Sequence, residues 1–106
     1  MNGEPLKQTV LIKNPEGFHL RPIKAFVELA TRYQSSVKVS RDDRSVDGKS
    51  AMEMLTQMLS LPGSVLTLEV DGPDAEDCLG ALVALFDAPP AANGAEATAP
   101  EKQDGP

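Results

Sequence analysis

Aromatic residues are scarce in this 106-residue chain: it has no tryptophan, one tyrosine and three phenylalanines. Its core must therefore be filled mainly by Leu, Val, Ile, Met and Ala. A single cysteine, Cys78, excludes an internal disulfide and offers no thiolate metal cluster. No apolar run approaches the roughly 18 residues that a membrane span needs, so no membrane partner is expected. The opening Met1-Asn2-Gly3-Glu4-Pro5 lacks the basic and apolar regions of a signal peptide, and a cytoplasmic location follows as the expectation. Positive charge is outweighed, leaving a formal net charge of -6. Non-specific nucleic-acid binding wants a basic surface and is disfavoured. The first half nevertheless carries a basic series: Lys13, Arg21, Lys24, Arg32, Lys38, Arg41, Arg44 and Lys49. Its expected role is solvation, with some members steering acidic partners.

What is present is ordinary soluble composition, with room for one modest domain. Gln8 to Lys13 predicts a strand, with Val10 and Ile12 on one face. Asn14-Pro15-Glu16-Gly17 is a turn cluster. The period then changes. Ile23, Phe26, Val27 and Ala30 follow the spacing of an amphipathic helix from Leu20, with Lys24, Glu28 and Arg32 on its other side. With His19 as N-cap, Pro22 falls in the first turn, where a missing N–H costs little.

Ser36 to Ser40 alternates as a half-exposed strand, Arg41 to Arg44 is a polar turn, and Ser45-Val46 returns briefly as a strand. Ser50-Ala51-Met52-Glu53 matches a capping box that opens a second helix. Its expected apolar side is Ala51, Leu55, Met58 and Leu59, and Pro62-Gly63 is expected to end it. Val65 to Val70 predicts a strand with Leu66, Leu68 and Val70 inward. After the turn at Asp71-Gly72, the positions Ala75, Cys78, Leu79, Leu82, Val83 and Phe86 repeat at helical spacing. Cys78 on that face is expected to be a buried core thiol.

The order β-α-β-β-α-β-α with alternating strands predicts an α+β fold. Its form is an open-faced sandwich, a four-stranded antiparallel sheet with three helices on one face. The domain is expected over residues 1–87. Residues 88–106 are Ala/Pro-rich, hold no large apolar residue, and are expected to form a disordered tail.

His19 is the only histidine, and it stands in Gly17-Phe18-His19-Leu20-Arg21-Pro22. A loop ends there, a helix begins, and a guanidinium follows two residues on. Histidine as a residue type is nucleophilic near neutral pH, because its ordinary pKa is about 6.5. First-turn N–H groups and the helix dipole favour an anion at that place, and Arg21 can pair with phosphoryl oxygens.

This hexapeptide resembles the active-site signature of the HPr family, the histidine-containing phosphocarriers of the bacterial phosphoenolpyruvate:sugar phosphotransferase system. Gly48-Lys49-Ser50, followed by Met52 and Leu55, is similar to the family's regulatory-serine segment. The element order and the Asp71-Gly72 turn also fit, over roughly residues 7–87. The resemblance implies that His19 accepts a phosphoryl group at Nδ1, that Arg21 stabilises it, and that phospho-Enzyme I is the donor. It implies IIA domains of sugar permeases, or a regulatory counterpart, as acceptors. It implies a monomeric covalent relay and not an enzyme with its own turnover, requiring no metal and no organic cofactor.

Two residues depart from the family's usual choices. Leu20 follows the histidine where Ala or Thr is common, and Ile23 follows the proline where Ala is usual. Leu20, Met52 and Leu55 are the expected docking residues, since methionine adapts to several partners. Ser50 is the counterpart of a serine that an HPr kinase/phosphorylase modifies in some members. Here Glu53 would repel a phosphate, so Ser50 is expected to be mainly a cap, with regulatory phosphorylation weakened. The alternative reading is a regulatory module of the same fold, signalling through phosphorylation at His19 or Ser50 without sugar transport. A third, a ferredoxin-like ligand- or RNA-binding module, shares the element order. The strand segments carry none of the aromatics that sheet-based RNA recognition uses.

Overall fold

The structure is a computed structural model that describes residues 4–87. The expected disordered tail over 88–106 and the first three residues of the expected domain lie outside the described residues. The elements follow the predicted order: β1 (Leu6–Leu11), α1 (Leu20–Ala30), β2 (Ser36–Arg41), β3 (Arg44–Asp47), α2 (Ala51–Gln57), β4 (Val65–Asp71) and α3 (Ala75–Asp87). One sheet, of order β1-β4-β2-β3, is antiparallel throughout. Central β4 places Leu66, Leu68 and Val70 beneath the helices, with Val10, Val37, Val39 and Val46 from its neighbours. The other face is wet. Glu69 there lies 3.9 Å from Lys7 and 3.8 Å from Lys38, exposed ion pairs of small energetic weight.

β1 runs from Leu6 and not from Gln8, and it ends at Leu11 and not at Lys13. Ile12 stays buried and keeps to the chain just before β4, donating to Ser64 O and accepting from Gly63 N. β2 and β3 close through a tight turn in which Asp42 takes a positive φ of 57°, and the predicted polar turn shrinks to its two middle residues.

The predicted face of α2 needs correction. Met54 and Met58 are the fully buried residues, Leu55 is half-buried, and Ala51 and Leu59 are exposed. The helix also ends at Gln57, well before Pro62-Gly63. The cause lies in the chain beyond it. Ser60 pairs as a β-bridge with Phe18, which pulls 58–62 out of helical geometry. On α3 the predicted periodicity holds, with Cys78, Leu82 and Phe86 buried and Ala75, Leu79 and Val83 packed against them. Burial pushes the Cys78 thiol pKa up, Asp74 adds to this, and Lys49 offsets part of it.

The three phenylalanines meet in one cluster. Phe18 lies 6.2 Å from Phe26 and 5.3 Å from Phe86, ring centre to ring centre, and Phe26 lies 5.9 Å from Phe86. These separations and tilts suit aromatic quadrupoles. The cluster ties the residue before His19 to α1 and to the end of α3. At the far end of the molecule, the Asp74 carboxylate accepts hydrogen bonds from Gln34 N, Ser35 N and Ser35 Oγ at 2.9, 2.9 and 2.6 Å. That joins the start of α3 to the connection between α1 and β2.

Candidate functional site

Gly17 sets up the local geometry. Its φ is +83°, and a Cβ there would strike the Ser60 carbonyl oxygen. A glycine is needed on both counts. Phe18 N then donates to Ser60 O at 2.8 Å and Ser60 N to Phe18 O at 2.9 Å. The next residue, His19, is the N-cap of α1 in extended conformation, and its carbonyl accepts the first helical hydrogen bond from Ile23 N at 2.8 Å.

The expectation that His19 caps α1 is met by its backbone only, because the imidazole makes no capping hydrogen bond. Pro22, in the first turn, has no N–H to satisfy. Among the described residues, no acceptor meets the N–H groups of Leu20 and Arg21. The start of α1 thus presents two free donors and the positive end of a helix dipole, with no acidic residue in its first turn.

The imidazole is 40% exposed, so a partner's reacting group can reach it. Its Nε2 lies 3.4 Å from Glu16 Oε1. A carboxylate at that edge favours the tautomer with the proton on Nε2, which leaves the lone pair on Nδ1. Arg21 is exposed on the first turn and makes no ion pair or side-chain hydrogen bond among the described residues. It lines a cleft of about 200 Å³ with Lys13, Gly17, Phe18, Phe26 and Phe86. Lys13 in that cleft lies 3.4 Å from Asp87 Oδ1.

Ser50 is the N-cap of α2, its Oγ accepting from Glu53 N at 3.3 Å. The return arm of the predicted capping box lands elsewhere. Glu53 Oε1 accepts from Asp47 N at 3.1 Å, because Ser50 N already donates to Asp47 O. No hydrogen bond or ion pair joins Ser50 to His19 or Arg21 among the described residues.

Of the expected docking residues, Leu20 is 62% and Met52 76% exposed, while Leu55 is half-buried against the core. Two apolar residues that sequence reasoning did not assign to this surface flank Ser60, the pairing partner of Phe18. They are Leu59, 49% exposed, and Leu61, 78% exposed. Leu61 was legible in part, since Pro62-Gly63 directly after it signals a turn.

Similarity to known proteins is extensive. The family model described as "PTS HPr component phosphorylation site" matches residues 6–88. The phosphocarrier protein HPr of Cupriavidus necator is 40% identical over 81 residues, which cover 76% of this chain and 90% of that protein. The phosphocarrier protein NPr of Klebsiella oxytoca is 34% identical over 83 residues, 78% of this chain and 92% of its own. Among solved structures, HPr-C-His from Thermoanaerobacter tengcongensis superposes with a TM-score of 0.72 at 35% identity. It covers 77% of this chain and 91% of that one.

Proposed function

This chain belongs to the HPr phosphocarrier family of the phosphotransferase system, and we propose that His19 is its phosphoryl acceptor. Phospho-Enzyme I is the donor, and a sugar-permease IIA domain or a regulatory counterpart receives the group, in a cytoplasmic relay between separate partners. The observation that carries this is the setting of one imidazole. Glu16 sits at Nε2, leaving the Nδ1 lone pair as nucleophile at a helix start with two unpaired N–H donors.

In the forward step the bond from Nδ1 to phosphorus forms as the donor's bond to phosphorus breaks, and the proton stays on Nε2. The new phosphoryl oxygens face the Leu20 and Arg21 N–H groups and the free Arg21 guanidinium. Charge-assisted donors of this kind suit a dispersed negative charge. The seat is open and holds one guanidinium, so the group is not bound too tightly to leave. Leu20, Met52, Leu59 and Leu61 form the apolar surface on which donor and acceptor dock, with the edge of Leu55 behind them. Ser50 serves α2 as its cap, and the Glu53 carboxylate nearby opposes a phosphate there.

The test mixes the full chain with Enzyme I and labelled phosphoenolpyruvate. An acid-labile label that is lost in His19→Gln is the expected result. An unlabelled wild-type chain with several Enzyme I preparations, or a label that survives His19→Gln, would sink the assignment.

A further inference from the structure

We propose that Arg41 is a positioning residue for phosphoryl transfer: from the sheet, it fixes the segment that holds His19 in place and carries part of its docking surface. The inference rests on the carrier reading of His19.

Arg41 is the last residue of β2, yet its guanidinium reaches into the helical layer. It donates to Leu59 O and to Ser60 Oγ, both at 2.5 Å, and more distantly to Gln57 O at 3.4 Å. Ser60 Oγ in turn donates to Met58 O at 2.8 Å. These acceptors are where α2 gives out. Its last turn holds no basic residue, and its C-cap is Met58 in neither the helical nor the left-handed region. The chain there has none of the usual devices for ending a helix. A planar fork of N–H donors from another element takes their place, at the negative end of the helix dipole.

The arrangement opposes a local preference. Arg41 stands directly across the β2–β3 ladder from Arg44, and like charges opposite one another destabilise a sheet. The backbone and hydroxyl acceptors of 57–60 offset that for Arg41. Arg44 reaches only the Gln57 side chain, at 3.5 Å.

The consequence runs through two residues. Ser60 exchanges both of its main-chain hydrogen bonds with Phe18, and His19 is next in the chain. Leu59 and Leu61 stand on either side of Ser60, exposed. With the guanidinium gone, Leu59 and Ser60 lose their hydrogen bonds to β2, and the bridge to Phe18 becomes the main tie of Ser60 to another segment. A partner would then have to order this strip on docking, an entropic cost to association that the chemical step does not share.

The experiment compares wild type, Arg41→Gln, Arg41→Lys and Arg44→Gln. Two quantities are measured: steady-state phosphorylation by Enzyme I, and hydrogen exchange at the Phe18 and Ser60 amides. Arg41→Gln should raise the KM of Enzyme I for this protein roughly tenfold, the scale of one lost charge-assisted hydrogen bond. kcat should be unchanged, and the two amides should lose protection. Arg44→Gln removes the same charge from the same hairpin and should leave KM as it was. Arg41→Lys keeps the charge but reaches a single carbonyl, so its KM should fall between; it decides the question if Arg41→Gln does not fold. Wild-type KM and exchange in the Arg41 variants, or an equal rise in Arg44→Gln, overturns the proposal. If wild type takes no label at all, the carrier reading fails, while the exchange data still decide what Arg41 holds.

Discussion

In the proposed relay, Glu16 and Arg21 pull in opposite directions. The carboxylate lies 3.4 Å from Nε2 and helps to free Nδ1, yet once a phosphoryl group is present its charge is repulsive. The Arg21 guanidinium has no competing partner among the described residues, and its proposed part is to hold the phosphoryl oxygens. At a fixed ratio of phosphoenolpyruvate to pyruvate, Glu16→Gln should shift the charging equilibrium toward phosphoprotein by about twofold to fivefold, the scale of an exposed charge pair. Arg21→Gln should shift it the other way by roughly tenfold, the loss of one charge-assisted hydrogen bond. ³¹P NMR of the equilibrium mixture reads both; shifts of equal sign would contradict the opposed roles. His19, Arg21 and the Gly17 turn were legible because the motif is contiguous and its geometry local. Arg41 was not, since its meaning depends on acceptors 16 to 19 residues away in the chain and its own surroundings spell only a polar turn.

At the scale of elements, α2 tests how a face is chosen. Apolar residues stand at 51, 52, 54, 55, 58 and 59, a broad arc on one side. The helix is only seven residues long, too few turns for the period to fix which of them lie at the centre of the buried face. Packing chose Met54 and Met58, and the pairing of Ser60 with Phe18 ended the helix early. In urea unfolding, Met54→Ala should therefore cost about 2–5 kcal/mol, whereas Met52→Ala should cost under about 0.5 kcal/mol. A reversed order would contradict the burial of Met54 and the exposure of Met52. Ser50→Ala should lower stability by about 1 kcal/mol through the lost cap, and a neutral result would remove Ser50 from that role. α1 and α3 were legible because they are longer, 11 and 13 residues, so their apolar residues recur on one side over three turns or more.

For the whole molecule, β4 between β1 and β2 makes one antiparallel sheet from strands distant in sequence, with every helix on the same side. Alternation along the strands announced the wet face; their order was not legible, because it is set by which hydrophobic faces meet. The Asp74 clamp closes the end opposite His19 and gives stability a pH dependence. Its hydrogen bond from Ser35, then that from Gln34, hold the folded carboxyl below the ordinary value of 3.8. The folded state therefore binds that proton less readily than the unfolded chain. The stabilisation is fully present above 3.8 and is lost as pH falls through the lowered folded value. Asp74→Asn should be less stable than wild type at pH 7, and the gap should narrow in acid; a gap constant down to pH 2 would contradict the clamp.

The proposed relay turns on one nitrogen. The most direct test charges ¹⁵N-imidazole-labelled protein with Enzyme I and phosphoenolpyruvate, then adds a IIA domain. Phosphorus coupling should appear on His19 Nδ1 and vanish as the acceptor is charged. Coupling on Nε2, or a phosphoryl group that no acceptor discharges, would contradict the account.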